Sequence, residues 1–232
     1  MAIPHKPTLS VIIPALNEAE RIVDALQALA PLRASGHQLI LVDGGSEDDT
    51  PALAHPLVDR MIKTAKGRAI QMNAGAEQAT GAVLWFLHAD TQVPDSAAVS
   101  LLAAFGQGTQ WGRFDVRLAG RQPLLRLVER LMNLRSCLTG IATGDQGIFV
   151  TRQAFDAVGG YPEIPLMEDI ALSRALRRRS HPACLKPPLI TSSRRWERDG
   201  ILRTILFMWR LRLAYFLGAD ASQLADRYYP DR

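Results

Sequence analysis

Residues 83–87 read V-L-W-F-L without interruption and run straight into His88, Ala89 and Asp90. An apolar run of this length, bounded by polar residues, is the pattern of a strand buried on both faces. The same pattern occurs at residues 9–13, stopped by Pro14, at residues 39–42, ending in Asp43-Gly-Gly-Ser46, and more weakly at residues 58–62. Between the runs the period changes to that of a helix. After Asn17, the apolar residues Ile22, Val23, Leu26, Leu29 and Ala30 share one face; Asn17 is the expected N-cap, Glu20 the returning half of a capping box and Pro31 the stop. Asp48, Asp49 and Thr50 open a second helix with Pro51 in its first turn, and residues 66–79 form a third, rich in small side chains. Strands alternating with helices predict an α/β fold with a mainly parallel central sheet and helices on both faces.

Past Pro94 the alternation loosens. A helix is expected over residues 96–105, a strand over 112–118, a strongly apolar helix over 124–138 and a short strand over 148–150. Thr143-Gly-Asp-Gln-Gly147 precedes that strand, Thr151 caps a helix that Gly159 and Gly160 end, and another helix starts at Glu168-Asp169. Residues 201–217 are apolar around the whole helical circumference, yet Arg203, Arg210 and Arg212 interrupt them, which argues against a spanning helix. Two readings stand for this C-terminal helical tail: a helix buried on the domain, or an interfacial helix whose arginines reach lipid phosphates.

Composition narrows the partners. With 232 residues, 47% hydrophobic and 22% charged, the chain can bury a full core as one large domain. The net charge is +4, with arginines crowded between Arg174 and Arg212, which favours anionic ligands or a membrane surface. No nucleic-acid partner is expected, because basic and aromatic residues are not interleaved as in single-strand binding grooves. Cys137 and Cys184 lack metal-site spacing, and the first ten residues lack the apolar run of a signal peptide, so a cytoplasmic protein is expected.

In open α/β sheets, ligands bind at the carboxyl ends of the strands. Asp43 suits a ribose hydroxyl or a base N–H, and the glycines after it allow close backbone approach. Asp90 suits a magnesium or manganese ion bridging phosphates, since hard cations take one or two carboxylates plus phosphate oxygens. His88 can donate to a ribose or phosphate oxygen, ligate manganese, or be a satisfied core histidine. Asp145 and Gln146 are either a tight turn or a loop lining an acceptor site. Lys66 and Arg68 are either solvated or placed to neutralise phosphate, and Glu168 and Asp169 are acids favoured at a helix start unless chemistry uses them.

Taken together, Pro14-Ala-Leu-Asn-Glu18, Val42-Asp-Gly-Gly-Ser-Glu-Asp-Asp-Thr50, Gly67 with Asn73 and Gly75, His88-Ala-Asp90 and Glu168-Asp169 resemble the ordered motif set of family 2 glycosyltransferases with the GT-A fold. Each motif alone is weak; five in order are specific. The H-A-D-T form at residues 88–91, Thr143-Gly-Asp-Gln-Gly147 and Ser192-Ser-Arg-Arg-Trp196 further resemble a small bacterial subgroup. The resemblance implies an inverting transferase that uses a nucleotide-diphosphate sugar and a divalent metal, Mg2+ or Mn2+. It implies that Pro14, Asn17, Glu18, Asp43, Ser46, Arg68, Asn73, His88 and Ala89 surround the donor. Asp90, with His88, would hold the metal, Asp169 would be the base with Glu168 as second candidate, and Asp145, Gln146, Arg195 and Trp196 would lie on the acceptor side.

Two departures stand out. His88 replaces the first aspartate of the family's D-x-D motif, and Ser192 occupies the glutamine position of the processive members' Q-x-x-R-W, so processive synthesis is not implied. The expected organisation is one GT-A domain over residues 1–196, with a nucleotide half at 8–94 and an acceptor half at 95–196, followed by the tail at 197–232. The acceptor is unknown, and a lipid-linked one at the inner membrane face fits the interfacial reading of residues 201–217. Two other functions share these features: a nucleotidyltransferase acting on sugar phosphates, and a non-catalytic nucleotide-sugar-binding protein.

Overall fold

The computed structural model describes residues 8–229. Its centre is a seven-stranded sheet in the order β3-β2-β1-β4-β6-β5-β7. The strands are β1 (Leu9–Ala15), β2 (Gln38–Asp43), β3 (Arg60–Lys63), β4 (Val83–Phe86), β5 (Trp111–Leu118), β6 (Phe149–Thr151) and β7 (Ala183–Thr191). Strands β3, β2, β1 and β4 pair in parallel, as does β5 with β7. Only β6 runs against both of its neighbours.

Period-two alternation divides the core between the two faces of the sheet. Val11, Ile13 and Trp85 point to one side, where they meet Ile22, Leu26 and Leu29 of α1 (Ala19–Ala34) and Leu101 of α4 (Ala97–Gly106). Ile12, Ile40, Leu84 and Phe86 point to the other, against Met72 of α3 (Arg68–Gln78), Phe155 of α6 (Arg152–Asp156) and Leu172 of α7 (Glu168–Arg177). The apolar runs at residues 9–13, 39–42 and 83–87 are therefore strands covered on both sides, as the pattern predicts, whereas β3, at the sheet edge, is largely exposed.

Three local readings are corrected. Asn17 does not cap α1: it adopts φ 55° outside the helix, and its Oδ1 accepts from Glu47 N at 2.9 Å. The cap position is Glu18, without a side-chain cap bond, so the expected capping box is absent. Pro31 does not end α1 but lies inside its last turns, where its carbonyl accepts from the Ser35 amide and hydroxyl. Strand β7 carries Pro187 and Pro188, which suit it to the sheet edge it occupies and hide it from a search for β-branched runs.

Most of the remaining helices fall in the second half of the chain. Helix α5 (Pro123–Thr139) follows β5, while α8 (Arg194–Asp199), α9 (Ile201–Phe216) and α10 (Ala221–Tyr228) follow β7; α2 (Thr50–Ala54) is a short helix after β2. Leu125 and Val128 of α5 share a small core with Ile201 of α9, flanked by Met132, Trp196 and Ile205. Helix α9 thus packs on the domain through one face only. No helix among the described residues is long and apolar enough to cross a membrane.

Candidate active site

The carboxyl ends of β1 and β4 open into a cleft of about 840 Å³, walled by residues that follow them and by the starts of α3 and α8. Because β6 is antiparallel to β4, the loop leading into β6 arrives at the same edge as the loop leaving β4. The reversal brings Asp145 beside His88, with Asp145 Oδ1 3.3 Å from His88 Nδ1. Burial pushes the Asp145 carboxyl up, but the His88 hydrogen bond and charge, with Arg68 and Arg212, outweigh it and hold the group below the ordinary carboxylate value.

Pro14, Glu18, Arg68, His88, Ala89, Asp90, Asp145, Arg195 and Trp196 all line this cleft. Glu18 and Asp90 face each other closely enough that burial first, and the Asp90 charge second, raise the Glu18 carboxyl above its usual value. Arg194 Nη2 stands 3.9 Å from Asp90 Oδ2. Lys66, Arg194 and Arg198 add positive charge to the walls.

The other expected donor residues shape the wall without lining it. Both oxygens of Asp43 accept from the loop amides of Gly45 and Ser46, at 3.1 to 3.2 Å. Ser46 Oγ accepts from Asn17 N at 2.9 Å, which ties the loop after β1 to the loop after β2. Asn73 bonds the backbone N and O of Tyr161, fastening α3 to the segment before α7. Gln146 is fully buried and donates to Ser136 Oγ at 2.8 Å; it supports the turn while its neighbour Asp145 faces the cleft.

Glu168 and Asp169 sit behind that turn, at the start of α7. Met167 precedes them at φ 69°, a left-handed conformation that costs a non-glycine residue roughly 1–3 kcal/mol. Asp169 Oδ2 accepts from Gly144 N at 2.9 Å and Oδ1 from Ile170 N at 2.7 Å. Each oxygen keeps a further lone pair. Glu168 is buried; desolvation and the neighbouring Asp169 charge raise its carboxyl above the usual range, although Arg68 opposes them.

Several functional candidates carry no local signal in the sequence. Arg135 of α5 is pushed down to about 10 by burial and by Arg212, with Asp169 acting the other way. Burial lowers Arg212 of α9 as well, against the pull of Asp169 and Asp145. These two arginines belong to helices whose periodicity records only an apolar face, so nothing local marks them as neighbours of Asp169. Gln71 joins the ends of β1 and β2 by donating to Ala15 O and Val42 O, at 2.9 and 2.7 Å. Tyr228 lines the cleft under the Arg195 guanidinium, 3.7 Å from its ring centroid.

The carboxylates decide how well the site suits a divalent cation. No group of three or more His, Cys, Asp or Glu that could hold a metal exists among the described residues. Asp90 nevertheless suits a hard cation whose remaining ligands come from a diphosphate and water, with Glu18 close by. His88 fits less well, since Nδ1 is engaged with Asp145 and the buried Nε2, without a hydrogen-bond partner, packs toward Gly144.

Residues 10–152 match the model of glycosyl transferase family 2, well over half of the chain. The chain belongs to this family. A PGL/p-HBAD biosynthesis glycosyltransferase of Mycobacterium tuberculosis is 37% identical to this family 2 chain over 106 residues, 43% of this chain and 41% of that protein. The beta-monoglucosyldiacylglycerol synthase of Synechocystis is 26% identical over 231 residues, 89% of this chain and 46% of that protein. The chain thus spans less than half the length of these curated relatives. Among solved structures, a mannosyltransferase from Pyrobaculum calidifontis in complex with GDP-Man and Mn2+ superposes with a TM-score of 0.63 at 20% identity, covering 91% of this chain and 62% of that one. Glucosyl-3-phosphoglycerate synthase from Mycobacterium tuberculosis, in complex with Mn2+, UDP and glucosyl-3-phosphoglycerate, gives 0.61 at 21% identity, covering 80% of this chain and 70% of that one. The fold is GT-A, as the motif resemblance implies.

Proposed function

We propose that this family 2 chain transfers a glycosyl group from a nucleotide-diphosphate sugar to an acceptor hydroxyl, with inversion at the anomeric carbon. The observation that carries the reading is a single cleft with the Glu18–Asp90 carboxylate pair inside it and Asp169 hydrogen-bonded to the turn that forms its wall. Family membership and the metal and nucleotide complexes of the two structural relatives support it.

In this reading Asp90, with Glu18 beside it, would hold a magnesium or manganese ion, which when bound would supply positive charge against the departing diphosphate. Arg194, Lys66 and Arg68 supply further positive charge around the same group. Asp43 and Ser46 fix the loop against which the nucleoside rests, and the Asp43 carboxylate retains lone pairs for it. The acceptor oxygen forms a bond to the anomeric carbon while the bond from that carbon to the diphosphate oxygen breaks. Asp169 takes the hydroxyl proton, and the nucleoside diphosphate leaves with the bonding electrons. The Gly144 and Ile170 amides aim the carboxylate. Asp145 holds His88 in place at the cleft wall, and Trp196 and Arg195 border the acceptor side.

For the acceptor we favour a lipid-linked molecule presented at a membrane surface. The name of the Synechocystis relative, a diacylglycerol-directed synthase, and the exposed apolar face of α9 support this choice. Asp169→Asn is the decisive variant for the chemistry. Release of nucleoside diphosphate should fall by roughly 10²- to 10⁴-fold, the usual worth of a general base, while donor affinity is retained. Unchanged turnover would remove Asp169 from the role of base.

A further inference from the structure

Among the described residues thirteen large hydrophobics are exposed, and ten of them lie on α5 or on α9 and its C-cap. On α5 they are Leu127, Leu131, Leu134 and Leu138, repeating every three or four residues along one face. On α9 and its cap they are Leu202, Leu206, Trp209, Leu213, Phe216 and Leu217, with the same repeat. That period is the mark of a helix face meant for burial, but here the buried faces are different ones: Leu125 and Val128 on α5, Ile201 and Leu211 on α9. Both helices therefore carry two apolar faces, one used in the fold and one turned outward.

Charge indicates what covers the outward face. The two helices hold six arginines and a single acidic residue, Glu129, which is ion-paired with Arg126 at 3.4 Å. Arg130, Arg203 and Arg210 are exposed, and among the described residues Arg130 and Arg210 enter no ion pair. A second copy of this chain would be a poor occupant, because a two-fold pairing of the face sets this positive charge against itself. An anionic bilayer accepts both features at once, the leucines and Trp209 entering the acyl boundary and the arginines reaching lipid phosphates. We propose that the outward face of α5 and α9 docks this enzyme on an anionic lipid surface, lying on the bilayer without crossing it.

The position of α9 links docking to the cleft. Met208 lines the cleft, while Trp209, the next residue along the helix, lies in the outward stripe. Docking would hold the mouth of the cleft near the headgroups, where a lipid-linked acceptor is presented. The inference deepens the acceptor reading above and rests on it for its purpose alone, since binding to lipid does not require turnover.

Sedimentation with vesicles tests it directly. The whole chain is mixed with vesicles of phosphatidylglycerol and phosphatidylcholine in equal parts, and separately with phosphatidylcholine alone. The expected result is binding to the anionic vesicles that weakens with added salt and exceeds binding to the neutral vesicles by roughly tenfold or more. Two combined variants, Leu206→Glu with Trp209→Glu and Leu213→Glu, and Arg130→Glu with Arg203→Glu and Arg210→Glu, should each lower anionic binding by about tenfold or more. Their melting temperatures should stay near wild type, since these side chains are exposed. If a variant does not fold, the wild-type contrast between the two vesicle types decides. No sedimentation with anionic vesicles would overturn the proposal. So would variants that bind like wild type, or a wild-type dimer in light scattering that the Leu206, Trp209 and Leu213 variant disperses. Thermal shift with donor nucleotide in the absence of vesicles reads the transferase proposal separately, so one can fail while the other stands.

Discussion

Glu168 is a buried carboxyl beside a second carboxylate, and its raised pKa has a thermodynamic consequence. The folded state holds the Glu168 proton more tightly than the unfolded chain does. Its contribution to stability is therefore fully present below the ordinary glutamate range, near about pH 4, and is lost as pH rises through the raised folded value. Glu168→Gln removes that pH-dependent cost. The variant should match wild type in melting temperature at acidic pH and exceed it at neutral pH, which a series of thermal melts across that interval would reveal. A variant destabilised at neutral pH would mean that attraction to Arg68 outweighs burial and Asp169. Asp169, one residue on, accepts hydrogen bonds from two backbone amides.

Elements were legible in the sequence where the signal is local. Apolar runs ending in Asp43 and in Asp90 identify strand ends because burial and chain reversal occur within a few residues. The partners that complete the site are remote: Gly144 N reaches Asp169 across 25 residues, and Asn73 reaches Tyr161 across 88. No periodicity encodes such pairs. The same reason hides Arg135, Arg212 and Gln71, and it explains the misread Asn17, whose side chain answers Glu47 in place of its own helix. The motif order, in contrast, carried the fold without any knowledge of these contacts. Asn73→Ala tests the longest of them. It leaves the Tyr161 N–H and C=O without their side-chain partner, which should cost roughly 1–3 kcal/mol in denaturant unfolding. Loss of the tie between α3 and the segment before α7 should also lower turnover more than donor affinity.

At the scale of the whole molecule, the cleft gathers loops from β1, β4, β6 and β7, so its ligands should stabilise the entire fold. A nucleoside diphosphate with manganese should raise the melting temperature, by an amount equivalent to about 2.7 kcal/mol when the free ligand is a hundred times its Kd. Either component alone should do much less if Asp90 and the diphosphate share the ion. Asp90→Ala should abolish the manganese-dependent part of that shift; an identical shift in the variant would place the metal elsewhere. The concentration of arginine at the C-terminal side, read from composition as a sign of anionic partners, is divided in three dimensions. Arg194, Arg195 and Arg198 face the cleft, whereas Arg203 and Arg210 face outward.

The reversed strand β6 sits between β4 and β5, and it comes more than sixty residues after β4 in the chain. During synthesis, β3, β2, β1 and β4 are complete long before β6 emerges. Until then the Val83–Phe86 edge offers unpaired amides and carbonyls flanked by buried-type side chains, the profile of an aggregation-prone edge. The segment ending near residue 94 is thus a poor candidate for separate expression. A fragment cut near residue 94 should precipitate or bind chaperones, and one extended through residue 151 supplies the strand that closes the edge.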